Sequence, residues 1–283
     1  MTIKTILVPV RGDGKGERVL DHALAVARRF KAHIEVLHSH PKPEDLIPFA
    51  TLSMASMRRQ LTQSAAKAAE VEGARVRELF EKYLKKQKVP MVAKPPRVGV
   101  SATWHEMLGK QSSNVALIGR LADLIVVPQP DGSAGHNTFE AALMETGKPV
   151  LMAPPKPAKP VGRNVAVAWN GSAESANALN AALPILAAAD KVTVFSAPVT
   201  TEPRLGIDAA IEYLRRHGIK AGAKIMNVKA TQVGDALFAG ARKAGADVLL
   251  MGAFGQSRGR ELVFGGVTRY IIDTAKMPVI FVH

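Results

Sequence analysis

The sequence contains no cysteine, which excludes disulfides, thiolate metal sites and cysteine nucleophiles. Aromatic residues make up only 5% of it, with two Trp and three Tyr. That is too few for the base-stacking platforms of single-strand nucleic-acid binders. No run approaches the roughly 18 uninterrupted apolar residues of a membrane-spanning helix. The start, MTIKTILVPVRGDG, lacks the apolar core and small-residue cleavage site of a secretory signal. These absences lead us to expect a cytoplasmic protein with an aliphatic core and no membrane span.

What is present fits a folded soluble chain: 47% hydrophobic and 22% charged residues over 283 positions. Net charge is 38 − 24 = +14, which attracts anions in general. Much of the basic charge lies in RRF (28–30), MRRQ (57–60) and EKYLKKQK (81–88), at helical spacing and mixed with Glu. That pattern reads as a solvated helix face, so no specific nucleic-acid partner is expected.

The chain repeats itself. KTILVPVRGDGKGERVLDHALAVARRF (4–30) lines up with RNVAVAWNGSAESANALNAALPILAAA (163–189), pairing Val8 with Val167, Gly12 with Gly171 and Leu24 with Leu183 at a constant offset of 159. ADLIVVP (122–128) matches ADVLLMG (246–252), and GKPVLMAPP (147–155) matches KMPVIFVH (276–283). Between the copies, Pro154, Pro155, Pro157 and Pro160 favour an extended linker. We expect two domains, 1–156 and 157–283.

In each copy short, nearly continuous apolar runs alternate with amphipathic stretches, which predicts parallel strands covered on both faces by crossover helices. In the second copy the strands are expected at 164–169, 191–196, 223–229, 246–252 and 278–282. Its helices are expected at 173–188, 204–217, 233–244 and 265–275. The first copy has one extra feature, a helical stretch over 50–87, longer than its counterpart and able to project beyond the sheet. The apolar last strands PVLMA and PVIFV are expected to bring the halves face to face as an intramolecular pseudo-dimer, covering two sheet edges. A homodimer of whole chains is left open.

Ligands in open parallel sheets bind beyond the carboxyl ends of the strands. There the second copy carries MGAFGQSRGRELVFGGVT (251–268), a glycine-rich loop running into a helix whose free N–H groups suit an anion. Arg258, Arg260 and Arg269 add positive charge nearby. The alternative is that the glycines only make a tight strand-to-helix connection.

GAFG, nine residues, then GGVT resembles the nucleotide loop of the universal stress protein family, G-x-x-G, nine residues, G-(S/T). The likeness extends over nearly the whole chain, through ILVPV and VAVAWNGS, ADLIVV and ADVLLMG, and KPVLMAP and MPVIFVH. It implies two tandem, doubly wound, Rossmann-like five-stranded α/β sheets with strand order 3-2-1-4-5. It also implies an adenine nucleotide, ATP, in the second half, with Mg2+ as its companion left open. Ala168, Asn170 and Ala197 would face the nucleoside. Gly252, Gly255, Gly265, Gly266 and Val267 would surround the phosphates, with Thr268 supplying a hydroxyl and Met251 part of the same site. The sequence departs from the family at two points: Asn170 stands where ATP-binding members have Asp, and Gly266 where they have Ser or Thr. In the first half Pro128 replaces the first loop glycine and the spacing is lost, so that half is expected to be structural.

The remaining motifs are weaker. Gly12, Gly14 and Gly16 lack the spacing of a dinucleotide fingerprint or P-loop and read as a turn. His38 and His40 share a strand face without a visible third ligand, so no metal site is expected. Trp104, His105 and His283 have no assignable partner. No catalytic signature appears. The expected function is stress-response regulation by ligand-dependent ordering of the 252–268 loop toward an unidentified protein partner. The alternatives are a nucleotide-free scaffold and a weak ATP hydrolase.

Overall fold

The computed structural model describes residues 2–40, 42, 55–96, 99–156, 160–197, 205–254 and 266–283. In the first half, strands β1 (Thr5–Val10), β2 (His33–His40), β3 (Ser101–Leu108), β4 (Leu124–Pro128) and β5 (Val150–Ala153) alternate with helices. These are α1 (Gly16–Phe30), α2 (Ala55–Gln87), α3 (Gln111–Ile118) and α4 (Gly132–Glu145). The second half repeats the plan with strands β6 (Asn164–Trp169), β7 (Lys191–Ser196), β8 (Ala221–Ile225), β9 (Val248–Gly252) and β10 (Val279–Val282). Its helices are α5 (Ala173–Ala181), α6 (Leu183–Ala187), α7 (Ile207–Arg216), α8 (Val233–Lys243) and α9 (Gly266–Thr274).

Each half has the expected order 3-2-1-4-5, but the two sheets are one. The strands run β3-β2-β1-β4-β5-β10-β9-β6-β7-β8. Every neighbour pair is parallel except β5 with β10, which is antiparallel. The halves therefore meet edge to edge, not face to face. The register pairs Leu151 with Ile280, the same position of the two copies, so a local twofold passes between them. Alternation along the strands sends Ile6 and Val8 to one face and Leu7 to the other, and each face carries one core that runs through both halves. Phe139 of α4 meets Phe281 of β10 edge to face at 5.4 Å across the junction. The repeated Asp of the fourth strand region is structural. Asp123 accepts from the Lys4 and Thr5 amides (2.7 and 3.0 Å), and Asp247 from those of Gly162, Arg163 and Asn164 (2.6–3.0 Å). Each thus anchors the start of its half's first strand.

Two expected elements differ. The helix at 173–188 breaks at Ala182, where Pro184 in the first turn of α6 has no N–H to continue the ladder. The strand expected at 223–229 is 221–225. Met226 N–H still bonds to Ser196 O at 2.8 Å, but Val228 N–H turns back to Met226 O and leaves the sheet.

The long helix α2 does two things. Its C-terminal part packs Val76, Phe80, Tyr83 and Leu84 into the core. Gly73 lets its backbone settle on His40, where a Cβ would fall 2.2 Å from the ring Cε1. Toward the N-terminus, none of residues 60–71 is buried. Beneath α2, Trp104 stacks between His38 and Phe80, and His40 Nε2 lies 3.6 Å from Glu106. These are the partners that the sequence did not supply.

Candidate functional site

In the second half, β6, β7 and β9 end at one cleft of about 260 Å³. Ala168 and Asn170 bring the end of β6, Ala197 the residue after β7, and Met251 and Gly252 the end of β9. Gly266, Val267 and Thr268, the first turn of α9, form the facing wall. Eight of the ten residues singled out from sequence therefore converge. Gly255 and Gly265 lie outside the described residues.

Local chemistry fixes the near wall. Asn170 Oδ1 accepts from Ser172 N–H at 3.1 Å, and Ser172 Oγ accepts from Ser175 N–H at 3.3 Å, capping α5. Sequence reasoning missed the apolar lining, Phe195, Met226, Val233 and Leu237, the last two one turn apart on α8. It also missed Trp169, whose indole N–H donates to Leu205 O and Gly206 O at 3.1 and 3.2 Å. The two glycines reached by the description differ. A Cβ on Gly252 would collide with the backbone of Glu174 and Ser175, whereas one on Gly266 would meet none of the described residues within 4 Å. Gly252 thus serves close backbone packing, and Gly266 leaves space in the cleft. Thr268, offered as a hydroxyl donor, is 7% exposed.

The first half has a cleft built from the same positions. Pro9, Val10, Arg11, Asp13, Lys15 and Gly16 stand for Ala168, Trp169, Asn170, Ser172, Glu174 and Ser175. Its free volume is only about 30 Å³, the room of a single water. Arg11 fills it: Nε donates to Gln111 Oε1 and Nη2 to Thr138 Oγ1. Lys15 pairs with Asp131. Burial lowers the Arg11 pKa, opposed by Asp13 and Asp131 nearby, and the Lys15 hydrogen bond lowers that of Asp131. Arg11 is the counterpart of Asn170 at the 159-residue offset, a signal readable from sequence. Among the described residues, no group of three or more His, Cys, Asp or Glu is arranged to hold a metal ion. None of the described helices is long and apolar enough to cross a membrane.

The family model for the Universal stress protein family matches residues 2–103 and 162–283. The chain belongs to the universal stress protein family. A universal stress protein from Archaeoglobus fulgidus DSM 4304 superposes with TM-score 0.67 at 16% identity, over 99% of this chain and 96% of that one. A putative universal stress protein from Pseudomonas aeruginosa UCBPP-PA14 gives 0.58 at 17%, over 99% and 93%. A functionally unknown protein of Pseudomonas aeruginosa PAO1 gives 0.58 at 17%, over 99% and 92%. At such identities the likeness speaks for the fold. No curated protein matches the chain at a significant level. As a tandem universal stress protein, the chain carries two versions of one cleft, one open and one filled by its own side chains.

Proposed function

We propose that this universal stress protein is a regulator that takes an adenine nucleotide, ATP, in the cleft of its C-terminal domain, while the N-terminal domain serves structurally. We place the boundary between residues 156 and 157 and the protein in the cytoplasm. The observation that carries the reading is the contrast between equivalent clefts, about 260 Å³ against about 30 Å³ with Arg11 inside. The open cleft is walled by Phe195, Met226, Val233 and Leu237 on one side and by the N–H groups at the start of α9 on the other. An apolar slot beside the first turn of a helix suits a flat base joined to an anion. Asn170 keeps a hydrogen-bonding side chain where the resemblance leads one to expect Asp.

Calorimetric titration of the full chain with ATP tests this, beside mass spectrometry of any ligand released from the purified protein. One site per chain is expected. Gly266→Phe, at a position where an added Cβ meets no described residue, should remove binding without unfolding the protein. Two sites per chain would refute the structural role of the N-terminal domain. Absence of any adenylate, bound or released, would leave the scaffold reading. That second reading is favoured by one observation, the stretch of α2 over residues 60–71, none of which is buried.

A further inference from the structure

The two outer edges of the ten-stranded sheet, β3 and β8, are treated differently. The registers match them residue by residue. Ile6 pairs with Ile34 and Ile34 with Ala102, while Val165, 159 residues after Ile6, pairs with Val192 and Val192 with Ala221. Ala221 is therefore the counterpart of Ala102. On β3 the chain covers its own edge. Ala102 N–H donates to Pro90 O at 3.0 Å, and its carbonyl accepts from Val92 N–H at 2.9 Å, in a parallel bridge. Residues 88–100 between α2 and β3 are long enough to double back in this way, whereas only residues 217–220 separate α7 from β8. The edge of β8 is left bare. Met226 N–H bonds to Ser196 O at 2.8 Å, so by alternation Gly222 and Lys224 turn their backbone groups to β7, and Ala221, Ala223 and Ile225 turn theirs outward. Among the described residues no backbone group pairs with that outer side. Residues 222–225 are exposed, Ile225 to 63%.

We propose that β8 is a docking edge for an extended, acidic segment of a partner protein, which adds to the sheet as a further strand. Unpaired N–H and C=O groups along an edge are a template for strand addition. The first half shows the arrangement within the chain itself, with residues 90–92 laid along the equivalent edge. Charge selects the occupant. Lys220, Lys224 and Lys229 lie on or beside the strand, and no Asp or Glu occurs between Glu212 and Asp235. None of these lysines forms an ion pair among the described residues. Two copies of the chain joined at β8 would set the lysines against one another, whereas carboxylates on an added strand would pair with them. The two faces of the strand ask for different side chains. Lys224 Nζ stands 5.8 Å from the centre of the Phe195 ring, so Lys224 and Gly222 share that face, and Ala221, Ala223 and Ile225 share the other. A segment alternating acidic and aliphatic residues meets both, with carboxylates beside Lys224 and aliphatic groups beside Ile225. Gly222, whose added Cβ would meet none of the described residues within 4 Å, leaves room for a close approach.

The probe is a short labelled peptide alternating glutamate and valine, with a lysine–valine peptide as its counterpart, each titrated by fluorescence anisotropy against the full chain. The acidic peptide should bind roughly tenfold more tightly, the scale of a few exposed ion pairs added together. Lys224→Glu, a change on the exposed surface, should narrow or reverse that preference. Ala223→Pro removes an outward N–H while sparing the ladder to β7, so it should weaken binding with little change in the urea midpoint. Amide hydrogen exchange followed by NMR separates strand addition from general attraction to a basic surface. The acidic peptide should slow exchange at Ala223 and Ile225, and leave Lys224, already bonded to β7, as it was. Binding without protection at Ala223 and Ile225 would overturn the proposal, as would equal binding of the two peptides or none of either. Sedimentation of the peptide-free chain covers the remaining occupant. A dimer that Ala223→Pro dissolves would show a second copy on this edge and overturn the acidic partner.

Discussion

Gly252 and Ser175 nearly touch: a Cβ built on Gly252 would lie 2.6 Å from the Ser175 backbone nitrogen. The first loop glycine is thus required by the fold, because the start of α5 closes directly onto the end of β9. Gly252→Ala should cost about 1–3 kcal/mol through forced backbone displacement. Gly266→Ala should be neutral or mildly stabilising, since its Cβ meets nothing and Ala restricts the unfolded chain. Urea midpoints of the two variants check the contrast, and equal losses would refute it.

Gly266 stands where the family resemblance leads one to expect Ser or Thr. Gly266→Ser adds a hydroxyl at the foot of α9, where a Cβ meets no described residue and the cleft lies alongside. If phosphate is received there, ATP affinity should rise by about tenfold, in line with one hydrogen bond to a charged group. Affinity for adenosine should not change.

Arg11→Ala removes the donors to Gln111 and Thr138 and empties the first cleft. A loss of about 1–3 kcal/mol is expected for breaking such partly buried contacts. Affinity at the C-terminal cleft should be unchanged. A drop there as large as that of a direct cleft variant would show that the clefts are coupled.

Burial lowers the pKa of His22, His33 and His38, with loss of hydration the largest cause in each. The unfolded chain then takes up protons first. The stability of the neutral forms is full above the unfolded value, about 6.5, and is lost as pH falls through the lowered folded values. Glu106, lowered chiefly by the Trp104 indole N–H, titrates below this window. Urea midpoints should fall between pH 7.5 and pH 5.5, and His38→Gln should flatten that slope. A flat parent profile would contradict the assignment.

Much of this was legible because repetition is informative. The 159-residue offset and the apolar runs located four of the five strands of the second copy closely, and the last-strand motifs indicated which edges meet. Register was not legible: only hydrogen-bond pairing shows that Leu151 faces Ile280 and that the junction extends one sheet. β8 was misplaced because it is an exposed edge, where apolar Met226 and Val228 follow the strand without belonging to it. The break at Pro184 is readable from the sequence, because proline lacks the N–H that a continuous helix needs. For the cleft, motif reasoning found the polar rim and the turns. The apolar walls come from helix α8 and strand β7, whose residues carry no motif. Arg11 belongs to no motif of its own and sits among turn glycines, although it aligns with Asn170 at the 159-residue offset.

Leu151 opposite Ile280 has a thermodynamic consequence. Two separate subunits joined at such a seam would come apart on dilution, and their melting point would follow concentration. Covalent fusion makes the encounter unimolecular, so melting should be insensitive to how much protein is present. It also releases the partners from having to be identical. One half could surrender its chamber to an arginine while the other kept its own empty, a division of labour that a pair of identical subunits cannot inherit.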